Sequence, residues 1–228
     1  MSTNNTGPTK KVKVWDLPLR LFHWLLLIAV SAAFITIWAK SDRNLHMLAG
    51  YSVLTLLLFR LVWGFIGGEH ARFFNFVKGP ARVLSYMGAL FGGRHDPNRT
   101  GHNALGALSV LAMLLSLLFQ AVSGLFNFDD DLNEGPLRKL ISESLADKLH
   151  EAHEINQWII LGLIVLHVLA ILFYRFGKKD NLVSPMITGS KTLPADATTA
   201  DARGGNTFIG AVVLAISAGA VWYVVTKL

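Results

Sequence analysis

The stretch LHEAHEINQWIILGLIVLHVLAIL, residues 149–172, is almost entirely apolar from Trp158 onward, yet it carries His167 inside the apolar run and His150 and His153 before it. An imidazole buried in hydrocarbon is costly unless another group bonds it. A histidine inside a membrane span is therefore a candidate functional residue. Its partner has to come from elsewhere in the chain.

The composition is that of a membrane protein. Of the 228 residues, 52% are hydrophobic and only 16% are charged, against roughly 25% charged in soluble proteins. The chain has no cysteine, which excludes disulfides, cysteine-ligated zinc, iron–sulfur clusters and covalently attached haem. Any redox cofactor must then be held by histidine or methionine. The excess of 21 basic over 15 acidic residues indicates cytoplasmic loops rather than nucleic-acid binding.

Five segments are long and apolar enough to cross a bilayer as helices, which takes roughly 20 residues. They are residues 18–39, 46–66, 103–126, 155–174 and 207–226. Residues 1–17 are predicted to be a cytoplasmic N-terminal segment, because the first span is too long to be a cleaved signal peptide. Residues 192–206 are small and polar, and they predict a flexible linker between a four-helix domain (residues 18–191) and a C-terminal transmembrane helix (residues 207–228).

The charges of the loops predict the orientation. Residues 67–101 and residues 175–206 each carry five basic side chains, and such loops stay in the cytoplasm. Residues 127–152 carry seven acidic against three basic side chains, a net charge of −4, and include Asp129, Asp130 and Asp131. We therefore expect a multi-pass protein of the bacterial inner membrane, with its N-terminus in the cytoplasm and its C-terminus in the periplasm.

The histidines of the spans fall into two pairs by depth. His153 and His167 are 14 residues apart, so they share a helix face and stand roughly 21 Å apart along the helix axis. Because successive spans run in opposite directions, His23 of the first span shares the depth of His167, and His46 of the second span shares that of His153. His150 could replace His153, but its angular offset from His167 is about 100° rather than about 40°.

Paired imidazoles on facing helices of a bundle are a common way to hold a six-coordinate haem iron without cysteine. The sequence therefore predicts two non-covalent haems stacked across the membrane. Gly50, one turn after His46, leaves room for a flat macrocycle. Arg20 and Arg60 are positioned to pair with the propionates of the inner haem.

Two further polar residues have competing interpretations. His102, at the inner end of the third span, could compete with His23 as a ligand, but we interpret it as a neighbour of the site or an interfacial residue. Gln120 could bind a quinone, but an interhelical hydrogen bond is the simpler interpretation.

Eight motifs follow one another along about residues 12–191: WDLPLRLFHW, LHMLAGY, FRLVWGFIG, FVKGP, GHNALG, DDDLNEGPL, LHVLAILFY and PMITGSK. Together they resemble the prokaryotic dihaem cytochrome b561 family, which is similar to the b-type cytochrome subunit of membrane-bound nickel–iron hydrogenases. The resemblance implies a four-helix core that binds two b haems through His23, His46, His153 and His167. It also implies electron exchange between the quinone pool and a redox partner at the outer face.

We therefore predict a membrane-integral dihaem b cytochrome of the respiratory chain, an electron-transfer protein of oxidoreductase type. It would pass electrons between membrane quinol and a periplasmic protein such as a c-type cytochrome. The alternatives within this class are a hydrogenase cytochrome b subunit and a quinone-linked superoxide oxidase. Other classes are a structural anchor and a histidine-lined transporter of a divalent metal or protons, although the spans hold few of the acidic residues that cation pathways usually carry.

Overall fold

The structure, a computed structural model of the 228-residue chain, describes residues 8–39, 42–77, 79–92, 98, 100–128 and 134–227. Its elements in chain order are β1 (Thr9–Lys13), α1 (Leu17–Trp38), α2 (Arg43–Ile66), α3 (Phe73–Phe76), α4 (Pro80–Phe91), α5 (Ala104–Gly124), α6 (Glu143–Leu172), α7 (Val183–Thr188), β2 (Ser190–Pro194) and α8 (Thr207–Lys227). Within the described residues, five helices are long and apolar enough to cross a membrane, namely α1, α2, α5, α6 and α8. The prediction of an all-α membrane protein is confirmed.

Three of the spanning helices begin with a side-chain cap. Asp16, Asp42 and Asn103 each accept a hydrogen bond from the backbone N–H three residues later, at 2.9, 3.0 and 2.7 Å. Such caps satisfy one of the N–H groups that the first helical turn leaves without a partner. Pro18, in the first turn of α1, has no N–H to satisfy and suits the same region. Polar residues just before the apolar runs therefore determine where these helices start.

The fourth spanning helix is longer than the sequence predicted. α6 begins at Glu143, about twelve residues before the predicted start, because residues 143–154 (ESLADKLHEAHE) are good helix formers although they are polar. Much of the acidic loop predicted over residues 127–152 is therefore the first three turns of α6. Its aspartate triplet, residues 129–131, lies outside the described residues. At its other end α6 continues into a π-helical turn, Phe173–Gly177.

α2 lies at the centre of the bundle and packs against α1, α5 and α8, while α6 packs against α5. Leu57, Phe59 and Trp63 of α2 are at most 3% exposed. The other spans expose apolar side chains such as Ile28 and Leu166, as expected for helices that face lipid. We call the end of the bundle that carries His46 and His153 the outer end, and the end that carries His23 and His167 the inner end.

A small two-stranded sheet lies beside the start of α1. β1 and β2 pair antiparallel, with Thr9 opposite Pro194 and Lys13 opposite Ser190. The sequence analysis did not predict these strands, which fall in the predicted N-terminal segment and at the junction with the predicted linker. Each strand is only five residues long, and its partner is more than 170 residues away in the sequence, so neither carries a local signal.

The segment that was predicted to be a flexible linker is hydrogen-bonded to other parts of the chain. The N–H of Ala202 donates to the Lys13 carbonyl at 3.0 Å, and the N–H of Glu69 donates to the Arg203 carbonyl at 2.8 Å. The N–H of Lys13 donates in turn to the Asp201 carboxylate at 2.7 Å. The small polar composition carries no information about bonds to residues so distant in sequence.

Asp16 connects three parts of the fold. Besides capping α1 through Leu19, its carboxylate accepts hydrogen bonds from Trp63 Nε1 at 3.2 Å, from Gly68 N–H at 2.9 Å and from Gly205 N–H at 3.2 Å. These donors belong to the start of α1, the end of α2 and the segment that leads into α8. One carboxylate therefore bonds to the start of α1, to the end of α2 and to the segment that leads into α8.

We expect Asp16→Ala to lower the free energy of unfolding by roughly 3 kcal/mol, because a lost helix cap costs about 1 kcal/mol and each of the two buried donors left without an acceptor, Trp63 Nε1 and Gly68 N–H, costs about 1 kcal/mol. Asp42→Ala is the matched control, since Asp42 caps α2 through a single bond, and its loss should cost only about 1 kcal/mol. Thermal unfolding in detergent, followed by tryptophan fluorescence, measures both. Equal destabilisation of the two variants would contradict the special role of Asp16.

Candidate functional site

The outer end holds one facing pair of histidines. His46 in the first turn of α2 and His153 on α6 have ring centroids 6.4 Å apart, with the ring planes at 77°. His46 Nδ1 lies 2.9 Å from the Ala33 carbonyl oxygen. Because a carbonyl can only accept, Nδ1 of His46 carries the hydrogen and donates it, which leaves the lone pair on Nε2.

Open space adjoins this pair. A cavity of about 210 Å³ is lined by both histidines and by Gly50 and Gly124. A Cβ added to Gly50 would meet nothing within 4 Å, whereas a Cβ on Gly124 would lie 3.1 Å from Cε1 of His153. Gly50 therefore borders open volume beside His46, and Gly124 allows the His153 ring to lie close to α5.

The inner end holds the second facing pair. His23 on α1 and His167 on α6 also have ring centroids 6.4 Å apart, with the planes at 50°. His23 Nδ1 is buried and has no hydrogen-bond partner, unlike the Nδ1 atoms of the outer pair. The structure thus places His23 beside His167 and His46 beside His153. These are the two pairs that the sequence predicted from depth.

Both separations would suit a metal ion held between the two rings. With metal–nitrogen bonds of about 2 Å and roughly 1 Å from each nitrogen to its ring centre, two imidazoles on opposite sides of one metal have centroids about 6 to 6.5 Å apart. Among the described residues, no group of three or more histidine or carboxylate side chains could hold a metal ion. Each pair supplies two protein ligands, and haem is a group that would need no more than two, because its macrocycle supplies the others.

The two predicted propionate partners lie at the inner end. Arg60 is only 2% exposed, its guanidinium lies 4.6 Å from the centre of the Phe73 ring, and its Nη1 has no hydrogen-bond partner. Arg20, one turn before His23, donates from Nη2 to the Ile187 carbonyl, while its buried Nε has no partner. A buried guanidinium nitrogen without a hydrogen-bond partner is costly, so the Nη1 atom of Arg60 suits a hydrogen bond to an anionic group.

The two alternative ligands contact other residues. His102 lies just before α5, between the rings of Trp15 and Phe76, with centroids 4.8 and 4.6 Å away. Burial lowers the pKa of His102 to about 3, and the neighbouring Arg60 and two further histidines lower it as well. His150 Nδ1 lies 2.6 Å from Asn127 Oδ1.

The sequence analysis missed one residue of the outer site and interpreted another correctly. Ser123, at the end of α5, has its hydroxyl oxygen 3.0 Å from His153 Nδ1. A serine in an apolar span is common enough that nothing singled it out. Gln120 Nε2 donates to the His153 carbonyl at 3.1 Å, which confirms the predicted interhelical hydrogen bond.

The chain is similar to several proteins described as probable Ni/Fe-hydrogenase B-type cytochrome subunits. The one from Rhizobium leguminosarum bv. viciae is 25% identical over 219 residues, covering 80% of this chain and 89% of the relative. The one from Azotobacter chroococcum mcd 1 is 24% identical, covering 81% of this chain and 90% of the relative. The hydrogenase 1 subunit of Escherichia coli (strain K12) is 20% identical, covering 78% and 90%. No solved structure gives a significant match.

Residues 14–189 match the model of the family described as prokaryotic cytochrome b561. That region contains both histidine pairs, Arg20, Arg60 and four of the five spanning helices. The match confirms the resemblance carried by the sequence motifs. The chain belongs to the prokaryotic cytochrome b561 family and is a multi-pass b-type membrane cytochrome.

Proposed function

We propose that the chain holds two b haems and carries electrons between the quinone pool and a redox protein at its outer end. The observation that carries this proposal is the presence of two facing histidine pairs, each with ring centroids 6.4 Å apart. They are roughly 21 Å apart along α6, so they would be two separate sites. Haem held between two histidines cycles between ferric and ferrous iron and so carries one electron at a time.

The side chains around the outer pair support ligation through Nε2. His46 Nδ1 donates to the Ala33 carbonyl, and His153 Nδ1 is hydrogen-bonded to Ser123. A hydrogen bond at one ring nitrogen fixes the tautomer and raises the basicity of the other nitrogen. Gly50 would leave the macrocycle space on the α2 side.

Arg60 and Arg20 would bind the propionates of the inner haem. Arg60 Nη1 is buried without a partner, and a carboxylate on that nitrogen would remove the cost of an isolated charge in the bundle. A guanidinium also binds a carboxylate through two parallel hydrogen bonds. The positive charge would favour the ferrous state over the ferric state and so raise the inner potential.

The redox protein that fits best is a nickel–iron hydrogenase. This rests on the names of the relatives, which describe B-type cytochrome subunits of such enzymes. A c-type cytochrome is the second candidate, because residues 127–152 carry a net charge of −4 and charge steers weak electron-transfer encounters. The loop charges also support a bacterial inner membrane location with a cytoplasmic N-terminus and a periplasmic C-terminus.

Replacing ligands should remove haems in the pairs that the structure brings together, since losing one histidine leaves its partner without an iron. We expect His46→Ala and His153→Ala to deplete one potentiometric component, and His23→Ala and His167→Ala to deplete the other. A pyridine haemochrome assay and a redox titration measure this, and His150→Ala is the control that should keep both haems. Loss of the same component in His23→Ala and His46→Ala would contradict the pairing.

We expect Arg60→Leu to lower the potential of the inner haem and leave the outer one unchanged, because the nearby positive charge is removed. Arg60→Lys keeps the charge but not the paired donors, so its shift should be smaller. Arg82→Leu removes an exposed charge on α4 and should have no effect, because water screens it. An unchanged inner potential in Arg60→Leu at full haem occupancy would count against this role.

The two candidate partners can be separated in membrane vesicles that contain the chain. If the partner is a hydrogenase, a purified nickel–iron hydrogenase should reduce the haems under hydrogen gas without added quinol. If it is a basic c-type cytochrome, the quinol-reduced chain should reduce it at a rate that falls as salt rises and the Debye length shrinks from about 30 Å at 0.01 M to about 3 Å at 1 M. His46→Ala is the control for both experiments. If a partner exchanges electrons with the wild-type chain no faster than with this variant, that partner is excluded.

A further inference from the structure

A chain of polar side chains connects α5 to α6 beside His153. Asn156 Nδ2 donates to Gln120 Oε1 at 2.7 Å and to the Ser116 carbonyl at 3.0 Å, and Ser116 Oγ donates back to Asn156 Oδ1 at 2.9 Å. Gln120 Nε2 donates to the His153 carbonyl at 3.1 Å. Asn156 is only 7% exposed, and an unbonded amide in hydrocarbon would be costly. The network therefore fixes how α6 lies against α5 at the level of His153.

Ser123, at the end of this network, lies within hydrogen-bond distance of both the Gln120 carbonyl and His153 Nδ1. Ser123 Oγ donates its single hydrogen to the Gln120 carbonyl at 3.1 Å. With that hydrogen engaged, the hydroxyl can only accept from His153 Nδ1, which lies 3.0 Å away. In this arrangement Nδ1 of His153 carries the hydrogen, and the lone pair is on Nε2, the nitrogen that would face iron. A serine that donated to Nδ1 would instead leave Nε2 protonated and unable to bind a metal.

Ser123 also limits the rotation of the ring. A hydrogen bond at Nδ1 prevents the imidazole from turning about its Cβ–Cγ bond, and Gly124, the next residue, leaves just enough room for Cε1. The ring planes of His46 and His153 consequently lie at 77°. Ser123 is only 2% exposed, so its hydroxyl is shielded from bulk water.

The corresponding bonds at the other histidines differ. His46 donates to a backbone carbonyl, that of Ala33, which substitution of a side chain cannot remove. His23 Nδ1 has no partner. Of these three histidines, only His153 has an Nδ1 bond made by a side chain. A single substitution can therefore change the outer site and leave the inner site unchanged.

We propose that Ser123 is a positioning residue that sets the tautomer, ring plane and basicity of His153, and thereby the potential and retention of the outer haem. The proposal rests on the function proposed above, in which His153 holds that haem. As an acceptor, Ser123 draws the Nδ1 hydrogen and makes Nε2 a stronger donor to iron. A stronger donor stabilises the ferric state and so lowers the potential.

The test compares Ser123→Ala with wild type in purified, haem-loaded protein. We expect the outer haem to be retained roughly tenfold less tightly and its midpoint to shift to a higher potential, while the inner midpoint stays the same. The ferric electron paramagnetic resonance signal of the outer haem should also change, because its g-values respond to the angle between the axial imidazole planes.

Three other variants complete the experiment. Ser123→Thr keeps the hydroxyl and should restore the wild-type potential and signal, whereas Ser123→Cys, of similar size but a weak acceptor, should shift both in the direction of Ser123→Ala. Ser217→Ala is the matched control, because Ser217 is a buried serine on α8 that donates only to its own helix, at Val213. It should behave as wild type.

Two results would contradict these proposals. If the potential, the retention and the resonance signal of the outer haem are unchanged in both Ser123→Ala and Ser123→Cys, the proposed role of Ser123 is wrong. The dihaem function would not be affected by that result. A wild-type protein with no second haem component would instead overturn the proposed function itself. If Ser123→Ala does not fold, Ser123→Cys alone decides between these results.

Discussion

Polar atoms inside a hydrocarbon layer must find partners within the protein, and this constraint organises the whole bundle. Thr36 and Ser217 satisfy it by donating to carbonyls of their own helices, at 2.7 and 2.9 Å. Asn156 satisfies it through residues of α5. Within the described part of the inner half, His23 Nδ1, Arg20 Nε and Arg60 Nη1 are buried and have no hydrogen-bond partner. Under the proposed function, the haem carboxylates would supply partners for the two guanidinium nitrogens, whereas His23 Nδ1 would stay without a hydrogen bond.

The length of α6 determines which other helices supply a histidine to each pair. α6 alone carries a histidine at both ends, and α1 and α2 each supply one partner from opposite directions. A rigid helix of 30 residues therefore holds both sites at a fixed separation. α8 contributes no histidine and packs mainly on α2. Its attachment depends on Asp16 and on the close approach of Gly210 to Pro18, where a Cβ would lie 2.9 Å from the proline ring.

The sequence was sufficient for the spans and for the histidine pairing because both depend on regular periodicity. Hydropathy locates helices in lipid, and a helix of known rise places His153 and His167 on one face at two depths. The sequence was insufficient where the structure depends on contacts between residues that are distant in the chain. The strand pairing of β1 with β2 and the bonds of residues 195–206 give no local pattern, and the polar start of α6 lies outside any hydropathy window. Ser123 was missed because a serine in a span shows its acceptor role only when its hydrogen is traced to the Gln120 carbonyl.

The two sites differ in ways that should separate their potentials, given the proposed function. At the outer site both Nδ1 atoms are hydrogen-bonded, which strengthens the imidazoles as donors and favours ferric iron. At the inner site His23 lacks such a bond, and Arg20 and Arg60 place positive charge nearby, which favours ferrous iron. Both differences act in the same sense, toward a lower outer and a higher inner potential. Under the proposed function, these two differences would favour electron transfer from the outer haem to the inner haem.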